Sequence, residues 1–482
     1  MGLPLIGRVW GKTIIYLLMA FIPAGGAFNS AWGWPQPDGL ELSKKTGAQT
    51  NPVLAVNTTG TWLAAWLDDS LGAAQVMVQN LNDNGTPLWD SNGIQAGFSQ
   101  SSQADPVICG DGNGGAYLAW TDYRLGAAAS LIYAQHLNSE GSTLWTPEGI
   151  PVCTGGYNQS GPGMIPDGEG GILLAWVDQR NVNNDIYAQR LNSEGTTLWN
   201  KSGIPIIKYT GSQTELKMAP GSEGSAYVVW SDTRSGNKDI YLQKISRDGT
   251  LFYSSSGYSI CVQPLIQQNP RIISDREGGV FLAWEDGRKG FYDIYTQKIG
   301  PSGTASWTPH GLAICTAANQ QYSPVMALCS SSTLVMAWTD RRSGGYQIYM
   351  QSLDMAGTIL WENNGRVLSQ LTTSQQMPRV AEDGGGGFYL AWLDSRSINL
   401  DLYAQHYSAA GEPNWQIDGI PIAARSGEVG NPCLLSDSGT GLLLAWEDNR
   451  NLTAPDIYIQ KVPLSGRLES GIPPELFEQF GK

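Results

Sequence analysis

The chain has 482 residues with 59 Gly, 18 Trp, only 15% charged residues and a net charge of −14, for a pI near 4.7. That acidic balance argues against nucleic acid or an anionic membrane surface as partner. The apolar, turn-rich composition argues against disorder.

The first segment, residues 1–27, places Arg8 and Lys12 ahead of an apolar run from Thr13 to Pro23, followed by small residues. This is the pattern of a secretory signal peptide. The run is shorter than the roughly 20 apolar residues of a membrane span, and no other stretch reaches that length, so a secreted or periplasmic protein without membrane insertion is expected.

Beyond it the chain is periodic. Trp66, Trp120, Trp176, Trp230, Trp284, Trp338, Trp392 and Trp446 follow one another at six intervals of 54 residues and one of 56. Eight repeats of that length mean one array with a shared core rather than several domains. Residues 157–206 show what one unit contains: a short extended run, the turn Asp167–Gly171, the apolar run Ile172–Val177, the alternating run Asp185–Leu191, the turn Asn192–Gly195 and a last run through Trp199 to Ile206. Apolar continuity over six residues suits a strand buried on both faces, and the glycine-rich joints suit hairpins. The unit reads as a four-stranded antiparallel meander, which hides both faces only by stacking on copies of itself around an axis. The expected fold is therefore all-β, an eight-bladed β-propeller.

The eighth unit ends without a fourth strand, while Trp34 and Asp38-Gly39 near the amino terminus repeat the fourth-strand pattern of the other units. The amino-terminal segment should complete the last blade and remove the open sheet edges. The propeller then spans residues 28–466, with 467–482 a short tail.

Two glutamine series accompany the tryptophans. Gln79 and its seven equivalents sit on the third strand, where burial demands hydrogen bonds to nearby backbone. Gln103 and its equivalents precede the first strand, where either a structural or a ligand role fits.

Each tryptophan opens Trp-x-Asp-x-Arg in seven units, pairing Asp122 with Arg124, Asp178 with Arg180, Asp232 with Arg234, Asp286 with Arg288, Asp340 with Arg342, Asp394 with Arg396 and Asp448 with Arg450. Asp-Ile-Tyr closes the same loop in several units, so an arginine bridging two carboxylates, Asp232 and Asp239 for example, is expected. Catalysis needs groups in different roles, whereas this motif offers one role seven times. Shaping the loop is the first reading and ligand binding by one or two arginines the second.

"SDTRSGNKDIYLQKISRDG" and "PDGEGGILLAW" resemble the repeats of TolB-type propellers, and the whole chain is similar to secreted bacterial proteins built from one long repeat. The TolB resemblance implies a platform that binds other proteins and brings no catalytic residues; the added "LW" and "GIPV" arm departs from it. The turns in "LNSEGTTLW" also look like those of sialidase-like propellers, but the spacing from glycine to the aromatic residue is one too long.

Irregular positions on the loop face are the candidates for ligand contact: Tyr123, Tyr157, Tyr209, Phe291, Tyr292, Tyr322, Tyr346 and Arg341. Aromatic rings of this kind stack on sugars or anchor a protein. The partner is thus a protein or a polysaccharide, bound without catalysis; a glycoside hydrolase or lyase with its acid/base pair in the irregular loops is the alternative. No Cys-x-x-Cys spacing occurs and only three histidines are present, so neither a metal nor a cofactor is expected. Asp68, Asp69 and the turn "DGNGG" offer a calcium ion carboxylates without the full spacing of a dedicated loop. The six cysteines read mainly as buried thiols.

Overall fold

The computed structural model describes residue 34 and residues 38–155, 158–424, 427–437 and 439–468. Within them lie eight four-stranded antiparallel sheets and one short 3₁₀ turn, Ser222–Gly224. No helix among the described residues is long and apolar enough to cross a membrane. The protein is an eight-bladed β-propeller. The signal-peptide segment, Tyr157 and nearly all of the tail lie outside the described residues.

Blade four shows the plan: an inner strand Gln213–Pro220, a second strand Ala226–Asp232, a third strand Asp239–Ile245 and an outer strand Tyr258–Cys261. All seven residues of the second strand are buried, as the unbroken apolar run requires. Each of the eight motif tryptophans is 0% exposed, and burying one stabilises the ring by about 2 to 3 kcal/mol. The inner strands touch their neighbours all the way round, from Gln49–Val56 of blade one to Val429–Ser436 of blade eight and back.

The outer strand is shorter than the sequence suggests. In blade three the outer strand is Ile204–Ile207, Thr197 makes a single bridge to Leu191, and Trp199 lies between them in a loop. The reason is the next blade: Trp199 Nε1 donates to the carbonyl of Arg247 at 3.2 Å and the ring packs against Gly249. Trp89, Trp145 and Trp415 make the same reach to Ser139, Ser193 and Leu464. These four indoles fasten their blades to the turn of the following one.

Closure follows the same rule. Leu40 and Glu41 pair with Ile459 and Tyr458, so the amino-terminal segment is the outer strand of blade eight. Trp34 donates to the carbonyl of Asp83 in blade one at 3.1 Å. Gly39 adopts φ +79, and a Cβ there would lie 2.5 Å from the Trp446 ring, so backbone and packing both require glycine.

Both glutamine series are masonry. Gln135 Nε2 donates to the carbonyl of Thr146 at 2.7 Å while its Oε1 accepts from His136 N and Trp145 N. Gln159, fully buried, accepts from Ile132 N of the preceding blade at 3.0 Å and donates to Asp178 at 3.1 Å. Gln103 accepts from Val76 N of the preceding blade at 2.7 Å in the same way, so these two members of the second series stitch blade to blade.

Candidate functional site

The repeated motif resolves into a three-strand clasp. Asp232, 0% exposed, accepts hydrogen bonds from Trp230 Nε1, Arg234 N and Arg234 Nε, each at 2.9 Å. Arg234 Nη1 then donates to the carbonyl of Ser256 at 2.8 Å, and the guanidinium lies over the Tyr241 ring at 4.0 Å. Second strand, third strand and outer turn are thereby tied together. The same clasp recurs at Asp122/Arg124, Asp178/Arg180, Asp286/Arg288, Asp340/Arg342, Asp394/Arg396 and Asp448/Arg450. Burial works to raise the carboxyls of Asp122, Asp178 and Asp394; the arginine and indole hydrogen bonds outweigh it and hold them below the ordinary value.

The expected bridge to a second carboxylate is not formed. Asp239 bonds instead to the Ser235 hydroxyl, and its other oxygen has no hydrogen-bond partner. Arg234 is turned away because the tyrosine face and the Ser256 carbonyl already hold its fork. The pair is also not a surface pair, since the arginine side chain is 11% exposed and its aspartate fully buried.

The aromatic candidates scatter, with one exception. Tyr123 is half-buried, Tyr209 lies under Arg234 at 4.5 Å, Phe291 is exposed, and Tyr346 stacks with Arg341 at 4.8 Å, each on a different part of the rim. Tyr292 of blade five and Tyr322 of blade six come together, with ring centroids 6.2 Å apart.

Beside that pair lie residues the sequence reading did not single out. The third residue of each inner strand sits in a β-bulge with positive φ, at Asn51, Asp105, Gly161, Glu215, Asn269, Ser323, Met377 and Asn431. Its N–H is lifted off the ladder, and a carboxylate of the preceding blade accepts it in four of the blades, Gly161 N donating to Asp105 at 3.4 Å among them. Asn269 N donates to Glu215 at 2.8 Å, Ser323 N to Glu285 at 2.8 Å and Asn51 N to Glu447 at 2.7 Å. Glu285 and Glu447 occupy the variable position of Trp-x-Asp, which therefore points at the axial mouth while the aspartate points away. Lys238 and Ser231 also bond Glu215. Burial pushes the Glu215 carboxyl up, but these three donors leave it below its usual value. Tyr292 is raised by burial first and then by Glu285, Tyr322 and Glu215. Both rings and both glutamates thus share one corner of the mouth.

Three cations lie a little further down the inner strands, at the fifth residue: Lys217, Arg271 and Arg379. The only signal in the sequence is that this slot holds Val, Gly or Cys in the other five blades. No group of three or more His, Cys, Asp or Glu able to hold a metal occurs among the described residues. The aspartate of "DGNGG" closes its own hairpin, accepting from Asn113 N at 2.7 Å and Gly115 N at 2.8 Å.

No family model matches the chain, and no curated protein matches it. Among solved structures it is similar to an ulvan lyase bound to an oligosaccharide, at 10% identity over 89% of this chain and 96% of that one, with a TM-score of 0.46. It is also similar to dipeptidyl peptidase 4 of Porphyromonas gingivalis, at 10% identity over 90% and 61% of the two chains with a TM-score of 0.48. An endo-arabinase from Bacteroides thetaiotaomicron is similar at 14% identity over 54% and 94%, with a TM-score of 0.31. These likenesses concern the fold class, and no residue's role is taken from them.

Proposed function

We propose that the protein is an exported, non-enzymatic binding propeller that recognises a polysaccharide at the axial mouth between blades four and six. The observation that carries this reading is the Tyr292/Tyr322 pair beside Glu215 and Glu285. Paired rings offer stacking faces to a sugar, and ionised carboxylates accept from its hydroxyls.

The same geometry disfavours catalysis. Each glutamate accepts a backbone N–H of the next blade, and Glu215 is held below the usual carboxylate range, whereas a general acid needs its pKa raised. The carboxyl that is raised, Asp293 at about 6, stands opposite Asp286 and so on the sheet face away from Glu285.

The test is an array of extracellular polysaccharides read for both retained protein and released sugar ends. Retention without release, lost in Tyr322→Ala and Tyr292→Ala, is expected. Release of sugar ends overturns the non-enzymatic reading, and retention of neither kind on any glycan turns the search to protein partners.

A further inference from the structure

Lys217, Arg271 and Arg379 hold equivalent places on the inner strands of blades four, five and seven, the innermost strands of the ring. Among the described residues the side chains of Lys217 and Arg271 make no hydrogen bond or ion pair, and that of Arg379 reaches only the carbonyl of Pro378, at 3.0 Å. Yet Lys217 feels the charge of Arg271 from the next blade and of Asp105 from two blades back, and Arg379 feels Arg271 across blade six. The inner strands line the axis, where side chains can reach past an intervening blade. Arg276 and Glu382 do so too, forming an ion pair from blade five to blade seven at the far end of the same strands.

Lys217 is exposed to the channel and Arg271 and Arg379 are half-buried, but protein crowds all three. That crowding lowers the pKa of each, ahead of any charge effect. Glu285 and Glu215 attract Arg271, and Glu215 and Asp105 attract Lys217, but none of these carboxylates closes an ion pair with either cation among the described residues, and a confined cation without one is costly. Glu215 and Glu285 are engaged by backbone N–H groups at the mouth. The level is otherwise lined by Val53, Val107, Gly163, Val325 and Cys433, none of which is an acceptor of any strength.

We propose that the axial channel is an anion site, in which Lys217, Arg271 and Arg379 receive a carboxylate or sulfate group. The source of that group, resting on the glycan reading above, is an acidic polysaccharide whose sugar rings are held at Tyr292 and Tyr322. Two guanidinium forks and one ammonium suit a planar carboxylate or a tetrahedral sulfate.

The experiment has two arms, both on the intact protein. In the first, the melting temperature is followed in sodium sulfate and in sodium chloride at matched ionic strength. In the second, retention on polygalacturonate, dextran sulfate and neutral dextran is measured. Sulfate should stabilise the wild type and leave Arg271→Met unmoved, and the variant's affinity for the acidic glycans should fall about tenfold or more. Lys217→Met, at a position already open to channel solvent, repeats the test if Arg271→Met does not fold. Equal responses of wild type and both variants overturn the anion site. Sulfate stabilisation that needs Arg271, with no glycan retained, upholds the site and overturns the glycan reading. Retention of neutral dextran through Tyr322 with no effect of Arg271→Met does the reverse.

Discussion

Arg450 Nη2 donates to the main-chain carbonyl of Asp38 at 2.8 Å, across 412 residues of chain. It is the same bond that Arg234 makes to Ser256 and Arg180 to Ser202 inside their own blades. In blade eight the accepting turn arrives from the amino terminus, so the clasp becomes the lock of the ring. Arg450→Met strands the buried Asp448 and frees the closing strand, with an expected loss of about 3 to 5 kcal/mol in chemical denaturation. Hydrogen exchange separates this from a local effect: the amide of Leu42, bonded to the carbonyl of Ile457, should exchange faster in Arg450→Met and stay protected in Arg124→Met. Equal protection in both would mean that the backbone pairs alone hold the ring shut.

Blade one lacks the clasp. Ser70 stands where the others have arginine and Met77 where they have tyrosine. Trp66 Nε1 and Asp68 Oδ2 are both buried without a hydrogen-bond partner among the described residues. Replacing both residues, Ser70→Arg with Met77→Tyr, should recreate the arrangement and raise stability by about 1.5 to 3 kcal/mol, the worth of hydrogen bonds to a charged group. A lower melting temperature in the double variant would show that blade one has repacked around its own residues.

Asp293 carries the clearest pH signature. Burial pushes its carboxyl up to about 6, with Asp286 adding to the shift and Lys289 and Arg288 opposing it. One of its oxygens has no hydrogen-bond partner. The native state therefore holds a proton that the unfolded chain releases at its ordinary value of 3.8, and stability falls as the pH rises through that window. Asp293→Asn removes the effect. It should melt higher than the wild type above pH 6, with the advantage shrinking to nothing as the pH is lowered towards 4; an advantage that persists at pH 4 would point to some other cause.

All six cysteines are free. Cys261 and Cys315 lie against the guanidinium groups of Arg288 and Arg342 at 3.0 and 2.9 Å. Even so, burial dominates and pushes these thiols up, as it does Cys433 to about 12 and Cys329 to about 12. Thiolate is the reactive form. Titration with a thiol reagent at pH 8 should find almost none of them in the native protein and all six in denaturant. Rapid labelling of Cys261 or Cys315 in the native state would show that the arginine prevails over burial.

Period, strand order and closure were legible before any coordinates because each depends on local rules repeated along the chain. A tryptophan every 54 residues can mark only a repeated strand, glycine and aspartate mark the hairpins, and a fourth-strand pattern displaced to the amino terminus leaves one way to finish the last blade. The Asp-x-Arg residues were legible as bonded pairs for the same reason, and all seven pairs form.

Their further partners were not legible. That Arg234 rests on Tyr241 and reaches Ser256, and does not bridge to Asp239, is decided by how the third strand and the outer turn sit against the second, a matter of packing. The mouth was more deeply hidden. Glu285 looks like a variable residue between a tryptophan and an aspartate, and Lys217, Arg271 and Arg379 look like ordinary surface charges. Eight blades and their Asp-Arg pairs follow from periodicity along the chain, whereas what lies at the axis follows from folding, because the inner strands converge there and place side chains 54 and 108 positions apart within reach of one another's charge.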